Sequence, residues 1–187
     1  MSDLSPITRT VADLRNTFDR SYSLPPSSAG TEQIENLLAV RLAGNPYAIR
    51  VTEIAGLANN RKTIAIPSPI SELLGVAGIR GGLVPVYSLA ALLGYDRNGY
   101  ARDASPARWL ALYGNEDQVG LGFSELEGYL RVPAAQIYTA SRENITGRHI
   151  KDVARVDGLV RPVVGIPSVV EMIQRRCGEI RVSPRQL

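Results

Sequence analysis

Histidine and cysteine each occur only once in the 187 residues, as His149 and Cys177. A lone cysteine forms no internal disulfide and no thiolate zinc site by itself. A Ser-His-Asp triad, a histidine metal cluster or a phosphorylatable histidine would all have to pass through His149. Next to Ile150 in an expected strand, and flanked by Arg148 and Lys151, it reads as a surface histidine. Aromatic residues make up only 6% of the chain, too few to suggest the stacking platforms on which single-stranded nucleic acid is held. No apolar run approaches the roughly 20 residues needed to cross a bilayer. The start, MSDLSPITRT, lacks the basic-then-apolar pattern of a secretory signal. No GxxxxGK[ST] occurs, and the Gly-rich runs follow no strand–turn–helix fingerprint. These absences leave a cytoplasmic, non-enzymatic protein as the expectation, with no cofactor and no metal.

What is present is ordinary for a soluble globular chain: 44% apolar and 21% charged residues, enough for one domain or for two small ones sharing a core. The net charge of +3 is unevenly spread. Through residue 35 three arginines face five acids, whereas the last sixteen residues carry Arg175, Arg176, Arg181 and Arg185 against Glu179 alone. Without a basic stripe and interleaved aromatics in the body of the chain, nucleic acid is not an expected partner. The end reads as a solvated basic tail.

Residues 1–35 read as an appendage. Val11, Leu14 and Phe18 form the apolar stripe of an amphipathic helix of about three turns, followed by a linker from Leu24 to Gly30. From Leu37 the texture is one of short strands. Leu38–Leu42 and Tyr47–Val51 flank Gly44-Asn45-Pro46 as a hairpin. Leu73–Ile79 and Leu83–Tyr87 flank a Gly-rich turn, and Leu89, Leu92 and Leu93 form a short helix ended by Gly94. After a linker from Tyr95 to Pro106 the pattern resumes. Trp109–Tyr113 and Gln118–Phe123 make a second hairpin, Leu126–Val132 a strand, and Ile150–Val156 with Leu159–Ile166 a third hairpin. A closing helix is expected over 167–176, with Val169, Val170 and Ile173 inward. Glu125 and Glu127 share a strand face, as paired catalytic carboxylates must, but an exposed strand more simply leaves them solvated. Many short strands joined by Gly-rich turns indicate small β-barrels rather than a parallel sheet. The expected division is a first barrel at about 36–94, a second at about 107–166, the closing helix, and a basic tail at 177–187.

The run Gly75-Val76-Ala77-Gly78-Ile79-Arg80-Gly81-Gly82-Leu83-Val84-Pro85-Val86-Tyr87-Ser88-Leu89 resembles the signature of the CheW-like chemotaxis coupling protein family. That signature is Gly-Val, two residues, Leu-Arg-Gly, an apolar strand ending Pro-Val, then a short helix. Leu38–Ile54 is similar to the family's opening hairpin, and Val119–Phe123, Gly128–Pro133 and Asp157–Val160 fall in the family's order. The resemblance covers roughly residues 36–173.

It implies a mostly β fold: two small five-stranded SH3-like barrels packed on a shared hydrophobic seam. It also implies a scaffold bridging the regulatory domain of a CheA-type histidine kinase and the cytoplasmic tip of a chemoreceptor, touching the membrane only through the receptor. By position, Ile54 and Leu57 would lie on the kinase-binding surface, Arg80 near the receptor contact, and Gly75 and Val76 in the same partner-binding segment. On residue type alone Ile54 and Leu57 fit a core equally well, and Arg80 fits a structural role on backbone carbonyls. The chain departs from the family at several positions: Ser88, Ser124, Gly165 and Gly56 stand where acids are usual, and Gly78 where Asn is. A second expectation is therefore a CheW-like interaction module used in a motility or other signalling system without the receptor contact.

Overall fold

The computed structural model describes residues 33–95, 107–114, 118–140, 149–156 and 158–182. The stripe Val11, Leu14, Phe18 and the linker at 24–30 lie outside the described residues, as does most of the segment expected to link the halves. The described chain forms twelve strands: β1 Ile34–Leu42, β2 Asn45–Arg50, β3 Gly56–Asn59, β4 Thr63–Ile64, β5 Leu73–Ile79, β6 Gly82–Ser88, β7 Trp109–Tyr113, β8 Val119–Phe123, β9 Glu125–Pro133, β10 Ile137–Thr139, β11 Ile150–Val156 and β12 Leu159–Val164. Two helices follow strands directly, α1 Leu89–Leu92 after β6 and α2 Ile166–Val182 after β12. A 3-10 turn at Val51–Glu53 follows β2.

The expected hairpins form, and two of them have a turn that suits the strands' twist. β1 and β2 are joined by Ala43-Gly44 at φ 49° and 78°, and β5 and β6 by Arg80-Gly81 at φ 49° and 84°. Two successive positive φ values define the hairpin turn that matches the right-handed twist of its strands.

Sheet membership departs from the expected division. The strands make two six-stranded sheets, ordered β10-β11-β12-β2-β1-β9 and β3-β7-β8-β6-β5-β4. Read as β4-β5-β6-β8-β7-β3, the second repeats the first position for position. In each, a hairpin steps through a parallel pair (β12–β2, β6–β8) to a second hairpin, with an antiparallel strand at the far edge. The first half of the chain thus lends its opening hairpin to the second half's sheet and receives β7–β8 in return. Contiguous barrels at 36–94 and 107–166 of five strands each are not what forms. The reason is visible in β1–β2: Leu37 and Ala48 face one apolar cluster, while Leu38, Val40, Leu42, Tyr47 and Ile49 face another. A hairpin buried on both faces belongs inside a sheet, between two neighbours.

Three apolar clusters result. One lies with β5, β6 and β7 (Ala77, Ile79, Val84, Val86, Leu110, Leu112) and one with β1, β2, β9, β11 and β12 (Leu37, Ala48, Val132, Ala154, Val163). The largest is a seam drawing on both sheets and α2, including Leu42, Ile49, Tyr87, Leu89, Leu121, Phe123, Ile166, Val169 and Ile173. Val169, Val170 and Ile173 face inward as expected, but α2 starts at Ile166 and runs on to Val182, into the segment read as a tail.

Candidate functional site

Helix α2 is tied to both sheets. At its start Glu53, in the turn after β2, accepts from the Ile166 backbone N–H at 2.8 Å, satisfying one of the free donors of a helix N-terminus. Further along, Arg176 pairs with Glu72 just ahead of β5, holding that carboxyl below the usual range against the opposing effect of burial. The Tyr87 hydroxyl lies 3.7 Å from Cys177 Sγ, and burial, then that contact, raises it to about 12. His149 is buried rather than on the surface: Nδ1 is 3.0 Å from Ser168 Oγ and Nε2 3.3 Å from Met172 Sδ. Its neighbours in sequence are charged, but α2 packs over its ring.

Two ion clusters hold the strands of the first sheet. Arg50 bonds Glu35 at 2.7 Å and Asp152 at 2.6 Å, with Glu53 at 3.6 Å. Glu127 is clamped between Arg161, at 2.6 Å and buried, and Arg41. Burial raises its pKa, but the bonds from Arg161 and Arg41 outweigh that and leave it lowered. The Glu125–Glu127 pair is therefore not simply solvated. Glu127 serves as an anion fixed between two cations, while Glu125 stays exposed. Among the described residues there is no group of three side chains suited to hold a metal.

The residues expected to meet partners collect at the second sheet, with different exposures. Ile54 is half-buried against the seam. Leu57, on the edge strand β3, is 36% exposed. Gly75 is buried at φ 141°, and a Cβ there would stand 2.0 Å from the Ile64 carbonyl oxygen, so it is a spacing residue that lets β4 pass rather than a surface contact. Val76 faces outward, half-buried between Ile64 and Pro85 on the neighbouring strands. Arg80 is exposed in its turn, with Nη2 3.7 Å from the point where a Cβ at Gly56 would be. Among the described residues it makes no hydrogen bond and no ion pair.

Sequence reading missed two exposed apolar residues beside these, Ile64 and Leu83, the latter 76% exposed. Alternation in Gly82–Val86 held the signal for Leu83, because Val84 and Val86 point inward. At the other end of β6 the outer face is covered, since Tyr87 joins the seam. The open apolar face is therefore the end bearing Ile64, Val76, Pro85 and Leu83. An exposed aliphatic row beside an arginine suits protein docking.

The chain matches the CheW-like domain family over residues 36–176 and belongs to that family. Among solved structures it is similar to the crystal structure of the scaffolding protein TtCheW from Thermoanaerobacter tengcongensis. The identity is 14% and the TM-score 0.59, over 71% of this chain and 89% of that one. No curated protein matches the chain. The family is one of chemotaxis signal-transduction scaffolds, acting through protein–protein contacts. Among the described residues no helix is long and apolar enough to cross a membrane.

Proposed function

We propose that this protein is a cytoplasmic, non-enzymatic coupling scaffold that binds the regulatory domain of a CheA-type histidine kinase and the cytoplasmic tip of a chemoreceptor. The observation that carries this reading is the family match at 36–176, which takes in every described strand except the first two residues of β1. Two six-stranded sheets on one seam suit a rigid adaptor, and the exposed edge at Leu57 supports a kinase contact there. Ile54 is a poor probe of that contact, because a charge introduced against the seam would unfold the protein.

Leu57→Asp is the informative change. Pull-down and titration with the purified kinase regulatory domain should show binding weakened by about 2 kcal/mol or more if Leu57 is an interface anchor. Circular dichroism checks that the variant is folded. A folded variant that binds with unchanged affinity removes this edge from the kinase interface. A CheW-like module without the receptor contact is the second reading, favoured by the absence, among the described residues, of any acid paired with Arg80. It is supported if the chain binds the kinase domain but does not co-sediment with receptor-containing membranes.

A further inference from the structure

The first sheet leaves part of one face open. Opposed residues of antiparallel strands share a face, so Tyr138 on β10, Val153 on β11 and Pro162 on β12 form one row, with Arg155 and Val160 beside it. Where Val164 and Ile150 lie, this face is covered, because both pack in the seam. Toward the β11–β12 turn the cover ends: Tyr138 is 55% and Val160 50% exposed, and Val153 and Pro162 are half-buried. The second sheet repeats the row as Ile64, Val76 and Pro85, and there Leu83 and Gly78 stand where Val160 and Arg155 do. The first sheet therefore differs in carrying a ring and a cation on its open face.

Charge on this face has one sign. The Ala140 N–H donates to the Lys151 carbonyl at 2.8 Å and continues the β10–β11 ladder, which sets Lys151 on the same face as Val153 and Arg155. Both cations are exposed, and among the described residues neither has an ion pair. Asp152 is the one carboxylate among the described residues of these three strands. It lies on the opposite face, held by Arg50 at 2.6 Å. Arg50 and Arg161 of the same sheet each hold a carboxylate of this chain; Lys151 and Arg155 do not.

An apolar row with a free cation at either end fits an apolar side chain flanked by carboxylates. Covering the row sheds water, and a charge-assisted bond strengthens as water leaves. Two cations are too few to hold a bilayer, at about 1 kcal/mol for each Lys or Arg near an anionic surface. A single tyrosine is no stacking platform for nucleic acid. A second copy docked by this same face across a two-fold would set like charges against each other.

We infer that the open face of β10–β12 is a docking surface for an acidic segment of another protein. Lys151 and Arg155 are four residues apart, so the segment presents two carboxylates about 13 Å apart with an apolar side chain between them, as an extended acid-x-apolar-x-acid run does. The inference goes beyond the coupling reading, since Leu57 and Arg80 belong to the other sheet.

The test pans a displayed library of random peptides on the full chain and titrates the strongest synthetic binder by fluorescence anisotropy. Selected peptides should be rich in the acid-x-apolar-x-acid pattern, and the bound peptide should slow amide exchange in β10–β12. Lys151→Glu and Arg155→Glu, checked for folding by circular dichroism, should each lower affinity about tenfold, and Val160→Ser should lower it too. Arg61→Glu, an equal charge reversal between β3 and β4 on the second sheet, should leave it unchanged. Peptides without acids, no selected peptide, or a binder lost with Arg61→Glu and kept with Arg155→Glu overturns the inference. So does co-sedimentation with phosphatidylglycerol vesicles that Arg155→Glu abolishes, which assigns the face to a membrane. A dimer in analytical ultracentrifugation that the same change disperses assigns it to a second copy and overturns it equally.

Discussion

Ser88 shows how one residue changes meaning between sequence and structure. Standing where the family usually has Asp, it looks like a lost charge near Arg80. In the fold it is the N-cap of α1, its Oγ accepting from the Ala91 N–H at 3.3 Å. Ser and Asp cap about equally well, so the exchange keeps the cap and drops only the charge. Ser88→Ala should therefore cost about 1 kcal/mol, read as a lower urea midpoint at unchanged slope, while Ser88→Asp should stay near wild type. A wild-type midpoint for Ser88→Ala would mean that the cap contributes nothing. His149 was illegible for a related reason. Its burial depends on α2 packing over it, whereas its flanking charges are local and point the other way. Gly75 was legible as a special backbone position, but what it accommodates, the Ile64 carbonyl, is a neighbour eleven residues back.

At the level of elements, strands with strong alternation or a tight turn could be read from sequence, as with β5–β6 and β11–β12. The strands that escaped notice were β3, β4 and β10, of four, two and three residues, too short to show a period. Their identity comes from the partners they lie against. The same holds for the ion cluster joining β1, β9 and β12: Arg41, Glu127 and Arg161 are far apart in sequence. The lowered Glu127 pKa makes this cluster pH-dependent. A carboxyl held lower in the folded than in the unfolded chain stabilises above its ordinary value of 4.5 and ceases to do so as pH falls through the folded value. Glu127→Gln should thus be less stable near neutral pH by about 1 kcal/mol or less, since solvent around the exposed Glu127 screens its pairs with Arg161 and Arg41. Denaturant midpoints should converge as both proteins are taken toward about pH 3. A constant gap across that range would show that packing, not charge, sets the difference.

For the whole molecule the decisive feature is the exchange of hairpins between halves. Local pattern identifies strands but not which sheet receives them, and sequential neighbours pair only as a tendency. That is why the longer strands were legible and the division into barrels was not. Neither half holds a complete sheet: β1–β2 lies between β12 and β9, and β7–β8 between β6 and β3. Fragments 33–95 and 107–182 should each fail to unfold cooperatively alone. Mixed in equal amounts, they should recover near-UV circular dichroism and a single melting transition. A cooperative transition in either fragment alone would contradict the interdependence. The exchange also sets an order of events during synthesis. Domains usually fold from the N-terminus as the chain emerges, yet here the β1–β2 hairpin has no seat until β9 and β12 have been translated. The second sheet can be completed once β8 is out, so β1 and β2 are among the last described strands to be enclosed, and a nascent chain stalled before β12 exposes them to whatever chaperone is at hand.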